Sequence, residues 1–226
     1  MPIPVQFLPD PLPANPLETA ALWLQQAWRA ADQPNPNAMV LATADPAGQP
    51  SARVVLCKEI VAEPGYVAFY SNYLSRKGRE LSANHRAALV FHWDAAHRQV
   101  RIEGQVSEAP AADSDAYFAT RPWQRRIGAW ASAQSEPVAD RDALVAAVAA
   151  AAKRFGTPVP GPEDRGALVD AQIPRPPHWG GYHLWVEAIE LWVEGESRIH
   201  DRGRWTRSLA SPGAAAGPWS FTRLQP

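Results

Sequence analysis

Apolar residues recur at helical spacing near the start of the chain, at Leu17, Ala21, Leu24 and Trp28, which predicts one helix ending at about Ala31. Its start is well marked. Asn15 is a good N-cap, Pro16 suits the first helical position, and Glu18 stands where a capping box takes a carboxylate. The preceding residues, 1–14, are proline-rich and predict an extended arm.

From Ala38 to Ser107 the spacing changes to short β-like runs broken by turn residues. Met39 to Ala44 leads into Asp45-Pro-Ala-Gly48, a type I turn by its residue order. Ala52 to Ile60 and Tyr66 to Tyr70 form the next pair, joined through Pro64-Gly65. Ser75 to Asn84 reads as a short crossing helix capped by Ser75, which puts Arg76 and Lys77 at a helix N-terminus, a position that favours phosphate. Ala87 to Trp93 and Gln99 to Val106 complete five strands, a count that suits a small antiparallel barrel.

Helices are predicted at Ala112 to Ala119, Gln124 to Ala131 and Asp140 to Phe155, the last capped by Asp140. Residues 156–177 carry several prolines and little periodicity, predicting a long, mobile loop. Tyr182 to Val186, Ile189 to Val193 and Trp219 to Leu224 are again β-like, with 208–217 a hairpin tip or a flexible stretch. The two β regions could be two domains. One barrel whose open edge is covered by the late strands is more economical, so residues 1–226 are read as a single domain.

Composition narrows the function more than the fold. A net charge of −1 gives no electrostatic footprint for nucleic acid, so local basic clusters point to a small anionic ligand. One cysteine, Cys57, excludes an internal disulfide framework, and the six histidines show no paired spacing for a metal, so none is expected. The N-terminus lacks the pattern of a signal peptide and no run of eighteen apolar residues appears; the expectation is a cytoplasmic protein that does not enter a membrane.

Only three lysines stand against nineteen arginines, and two of them, Lys58 and Lys77, fall within the β-patterned stretch. Arg53, Lys58, Arg76 and Lys77 together would make an anion site suited to phosphate; solvated edge charges are the alternative. Arg53 and Lys58 are five apart, so in a regular strand they face opposite ways unless a bulge intervenes. Tyr117 and Arg121, four apart on a predicted helix, would grip one phosphate, or Arg121 would cap the helix C-terminus. If the chain is extended after Gly195, then Arg198, His200 and Arg202 share one face beside Trp192, a receiver for a flat anionic aromatic ligand or an exposed charged edge.

Five segments in this order carry a specific resemblance: Arg53-Val-Val-Leu-Cys-Lys58, Phe69-Tyr-Ser-Asn72 with Ser75-Arg-Lys77, Arg98-Gln-Val, Ile127-Gly-Ala-Trp-Ala-Ser-Ala-Gln134-Ser135, and Arg198-Ile-His-Asp-Arg202. From about Asn15 to Pro226 the chain resembles the pyridoxamine 5′-phosphate oxidase family, flavoproteins with an antiparallel Greek-key split barrel. The resemblance implies that FMN is contacted by Arg53, Val54, Val55, Leu56, Cys57, Lys58, Tyr70, Ser71, Arg76, Lys77, Gln99, Gln134, Ser135, Trp192 and Arg202. It further implies a homodimer with flavin at the interface, and substrate contacts at Lys58, Tyr117, Arg121, Arg198 and His200, the last two placing the reacting end. Arg125 stands where the family usually has a serine closing the phosphate site. The implied reaction oxidises pyridoxamine or pyridoxine 5′-phosphate to pyridoxal 5′-phosphate, with dioxygen reduced to hydrogen peroxide. A related flavin oxidase of phenazine biosynthesis and a non-catalytic flavin- or haem-binding split barrel are the competing readings.

Overall fold

A computed structural model describes residues 6–161, 164, 169 and 171–226. The elements run α1 (Pro16–Ala30), β1 (Ala38–Ala44), β2 (Pro50–Val61), β3 (Tyr66–Asn72), α2 (Arg76–Ala83), β4 (Arg86–Trp93), β5 (Arg98–Glu108), α3 (Ala111–Thr120), α4 (Trp123–Ala131), α5 (Arg141–Arg154), β6 (Trp179–Val193), β7 (Asp201–Thr206) and β8 (Ser220–Arg223). Contacts divide the chain into two compact units: residues 1–69, 80–107 and 182–226 form one, and 70–79 with 108–181 the other.

The first unit is built on the antiparallel order β3-β2-β1-β4-β5-β6, which β6 closes by also pairing with β3; β7 and β8 extend the sheet from β6. The late strand thus covers the edge that five strands leave open. The interior is made by alternate residues, Met39 and Leu41, Leu89 and Phe91, Val100 and Ile102, all at most 1% exposed. The turn at Asp45 forms as its residues require: Gly48 donates to the Asp45 carbonyl at 2.9 Å and takes φ +84°. β6 is one strand of 15 residues, not the two short ones expected, because its residues stay buried or half-buried on both faces throughout.

Asn15 caps α1 by accepting from the Leu17 N–H at 3.1 Å. The buried side of that helix is Leu17, Ala20, Trp23 and Ala27, whereas Trp28 is 52% exposed. The expected stripe is therefore rotated, because Trp23 rather than Trp28 lies against the Arg98 guanidinium, 4.7 Å from the ring. Residues 6–14 carry no helix or strand and are pinned to the first unit: Leu8 donates to Asp201 and Trp205 Nε1 donates to the Pro13 carbonyl. Residues 208–217 connect the antiparallel β7 and β8, the hairpin-tip alternative.

The second unit packs α4 and α5 around Trp123, Ile127, Ala152 and Ile173. Asp140 caps α5 through the Ala143 N–H at 2.7 Å. Between 156 and 177 the described residues lie in no strand and no α-helix; 162–163, 165–168 and 170 lie outside the described residues. Among the described residues, no helix is long and apolar enough to cross a membrane and no group of three metal-ligating side chains occurs.

Candidate functional site

Ser75 ends the loop before α2 with its hydroxyl donating to the Asn72 carbonyl at 2.7 Å and accepting from the Gly78 N–H at 3.3 Å, which caps the helix. Two residues on, Lys77 is only 9% exposed, and its ammonium bonds Ser71 Oγ at 3.0 Å, Ser75 Oγ at 3.1 Å and Gln134 Oε1 at 2.8 Å. Three of the expected site residues, Ser71, Lys77 and Gln134, are thus assembled around one buried cation. Arg76 is exposed on the first turn of the helix, and Ser135 is exposed with φ +74°.

Arg53 is handled differently. Its Nη2 lies 3.2 Å from the carboxylate of Glu80, itself 5% exposed, and its Nη1 reaches the Leu41 carbonyl at 3.3 Å and Thr43 Oγ1 at 2.5 Å. Thr43 donates to Glu80 at 2.5 Å and Ser51 at 2.7 Å, so two hydroxyls tie acid to base. The charge of Arg53 is answered within the fold by Glu80.

The pairing of β2 with β3 shifts register between Cys57 and Glu59, leaving Lys58 as the inserted residue. Along β2, Ser51, Arg53 and Val55 are half-buried and Cys57 is buried, whereas Ala52, Val54 and Lys58 are exposed. The bulge that the spacing of Arg53 and Lys58 allowed for therefore falls at Lys58 itself, which is exposed where Arg53 is half-buried. Cys57 is 1% exposed, and burial pushes its thiol up to about 12.

In the second unit three rings form a ladder. Tyr70 and Tyr117 stack with centroids 4.0 Å apart, and Trp179 lies 5.5 Å from Tyr70 and 6.2 Å from Tyr117, all within 22° of parallel. The Arg121 guanidinium sits 4.6 Å from the Trp179 ring and 5.4 Å from Phe118. Its Nη1 is buried with no hydrogen-bond partner. Burial holds its pKa below the usual arginine value, and the charge of Arg125 acts in the same direction while Tyr117 opposes it.

Tyr117 and Arg121 do meet, although not by the helical spacing expected. α3 stops at Thr120 and Arg121 is extended, with φ −72° and ψ +141°, because Pro122 disfavours the helical conformation of the residue before it. Both side chains then turn to Trp179. Trp179 itself is absent from the expected set. The motif Trp179-Gly180-Gly181 was the available signal: a Cβ on Gly180 would lie 2.0 Å from the Tyr73 hydroxyl, and one on Gly181 2.8 Å from the Tyr70 ring. Arg125 is exposed on the first turn of α4, and Arg126 has its Nε buried without a partner.

The segment after Gly195 is not extended. Val193 pairs with Asp201, so residues 194–200 must reverse the chain, and they do so through a 3-10 turn at Glu196–Arg198 in which Ser197 and Arg198 take φ of +53° and +65°. The shared face expected for Arg198, His200 and Arg202 does not form. Gly195 is required there, since a Cβ would meet the Ile199 carbonyl oxygen at 1.8 Å. Its N–H donates to His200 Nδ1 at 3.2 Å, which places the proton of the neutral imidazole on Nε2. The His200 ring lies 4.7 Å from Trp192. Arg198 projects into solvent, whereas Arg202 is paired with Glu190 through Nε and Nη2, each at 3.2 Å. Gln99 is half-buried on β5 opposite His92.

The family model described as pyridoxamine 5′-phosphate oxidase matches residues 24–155, and that described as the pyridoxine 5′-phosphate oxidase C-terminal dimerisation region matches 179–226. A pyridoxine/pyridoxamine 5′-phosphate oxidase of Bordetella avium is 49% identical over 94% of this chain and 90% of its own; that of Ralstonia pickettii is 46% identical with the same coverage. Among solved structures, PhzG of Burkholderia lata in complex with tetrahydrophenazine-1-carboxylic acid is 30% identical, with a TM-score of 0.81 over 100% of both chains. With its barrel and both family regions in place, the chain belongs to the pyridoxamine 5′-phosphate oxidase family of oxidoreductases.

Proposed function

We propose that this chain oxidises pyridoxamine or pyridoxine 5′-phosphate to pyridoxal 5′-phosphate, with FMN as cofactor and dioxygen as acceptor. The observation that carries the substrate reading is Arg121: a desolvated guanidinium with a donor buried and unpaired, beside the Tyr117 phenol, suits a phosphate monoester. Lys58 and Arg125 complete the phosphate contacts in this reading.

The residues present fit FMN. Lys77 with the Ser71 hydroxyl, at the start of α2, is a donor set for a terminal phosphate, and Arg76 adds a cation there. Arg53, Val54, Val55, Leu56, Cys57, Lys58, Tyr70, Gln99, Gln134, Ser135, Trp192 and Arg202 are the further flavin contacts. When bound, the flavin supplies the two-electron acceptor that no side chain here provides. The chain's own residues bind and orient. His200, with Nδ1 occupied by the Gly195 N–H, offers Nε2–H as a donor to the reacting end of the substrate, and Arg198 supplies positive charge beside it.

The homodimer is part of the same proposal. It is supported by the description of the matched C-terminal region and by an apolar row on the barrel surface, where Val54, 64% exposed, pairs with Val40, 40% exposed. Light scattering giving twice the chain mass would agree with it; a monomer would not.

Purified protein should be yellow, release FMN on denaturation and produce peroxide with pyridoxamine 5′-phosphate. Failure to bind added FMN sinks the cofactor assignment. Turnover confined to a reduced phenazine carboxylate would favour the second reading, an oxidase of tricyclic substrates, to which the full-length likeness to PhzG lends support.

A further inference from the structure

We propose that Trp179 is a positioning residue for the substrate phosphate: its indole face sets the plane of the Arg121 guanidinium, and the Tyr70–Tyr117–Trp179 ladder fixes that face. The inference rests on the substrate reading of Arg121 given above.

An arginine side chain has four rotatable bonds and no intrinsic reason to present one edge. Here the guanidinium is stacked at 4.6 Å on Trp179 and lies near Phe118, so its faces meet apolar surface. What remains directional is its edge, and Nη1 on that edge has no acceptor among the described residues. A cation stripped of water in this way binds an incoming anion more strongly than one in solvent.

The residue that carries the indole is itself held through its backbone. Trp179 is 7% exposed; its backbone N–H donates to the Pro176 carbonyl at 3.1 Å, and its backbone carbonyl accepts from Arg175 Nη1 at 2.7 Å. Arg175 Nε reaches Asp115 at 2.7 Å, which ties Trp179 to α3 two residues before Tyr117. Two residues on, the Gly181 N–H donates to the fully buried Ser114 hydroxyl on the same helix at 3.0 Å. Neither Gly180 nor Gly181 accepts a side chain without displacing a tyrosine. The start of β6 and the face of α3 thus define one rigid seat, and Arg121 lies on it.

The test compares Trp179→Leu, Trp179→Phe, Arg121→Met and the Trp179→Leu/Arg121→Met double variant as holoenzymes saturated with FMN. KM and kcat are measured for pyridoxine 5′-phosphate. Calorimetric affinity is measured for 4′-deoxypyridoxine 5′-phosphate, which has no oxidisable group at C4′. Trp179→Leu should raise KM and weaken the analogue about tenfold with kcat within about twofold, and Trp179→Phe should recover most of the loss. In the Arg121→Met background, Trp179→Leu should add less than about twofold. Losses that multiply across the two sites, or a Phe variant no better than Leu, would overturn the role, since a merely structural tryptophan acts independently of Arg121. Wild-type protein that binds the analogue through Arg121 but does not oxidise pyridoxine 5′-phosphate would remove the oxidase reading and leave the role of Trp179 standing. Analogue binding indifferent to Arg121→Met would remove the role itself.

Discussion

Arg53 and Arg121 are both largely withdrawn from water, yet the fold treats them in opposite ways. Arg53 is surrounded by oxygen: Glu80 neutralises it, and Thr43, Ser51 and the Leu41 carbonyl take up its donors. Arg121 is surrounded by carbon, stacked on Trp179 and close to Phe118, with Nη1 unpaired. The first arrangement satisfies the folded chain. The second leaves a desolvation cost that an anion can offset, as the proposed substrate phosphate at Arg121 would.

The largest expected effect comes from Arg121→Met. Losing a charge-assisted bond of about 1.5–3 kcal/mol should raise KM for pyridoxine 5′-phosphate on the order of 10- to 100-fold. Thermal unfolding should show stability unchanged or slightly raised, because a desolvated cation is removed; a large loss of stability would erase the contrast with Arg53. Glu80→Ala should do the reverse. It strands a part-buried guanidinium and should cost about 2 kcal/mol in denaturant unfolding, much of it regained when Arg53→Met is added. Additive losses in that double variant would show that Glu80 acts through other partners.

Arg125→Ser tests an intermediate case, an exposed cation near Arg121. KM should rise about threefold and the effect should shrink in high salt, as screening of an exposed charge requires. Arg79→Ala is the control. Arg79 meets Glu136 at 2.6 Å with both side chains about half exposed, and its loss should change stability by less than about 0.5 kcal/mol.

Much of the barrel was legible because strands alternate and turns need particular residues. Met39 and Leu41 against Val40, the Asp45–Gly48 turn and the caps at Asn15, Ser75 and Asp140 are local signals with local causes. The Lys77 cluster was partly legible for the same reason, since Ser71 and Ser75 are close in sequence. What failed depended on partners far along the chain. Trp23 rather than Trp28 is buried because Arg98 lies beneath it. One exception is local: residues 198–202 fold back because Val193 pairs with Asp201 across a seven-residue reversal that alternation alone does not announce. Glu80 reads as an ordinary helix charge until Thr43, Ser51 and Arg53 arrive from two strands. Trp179 follows a proline-rich loop and looks like its end rather than the start of a strand.

Cys57 offers a clock. It is the only thiol in the chain, it lies in the barrel wall at 1% exposure, and its thiolate is suppressed until about pH 12. A thiol reagent at pH 8 can therefore react only during moments when β2 parts from its neighbours. Where closing outpaces labelling, each 1.4 kcal/mol of opening free energy should slow the reaction about tenfold. The time course of a single colour change then reports how often this barrel opens, and whether FMN, once bound, makes those openings rarer.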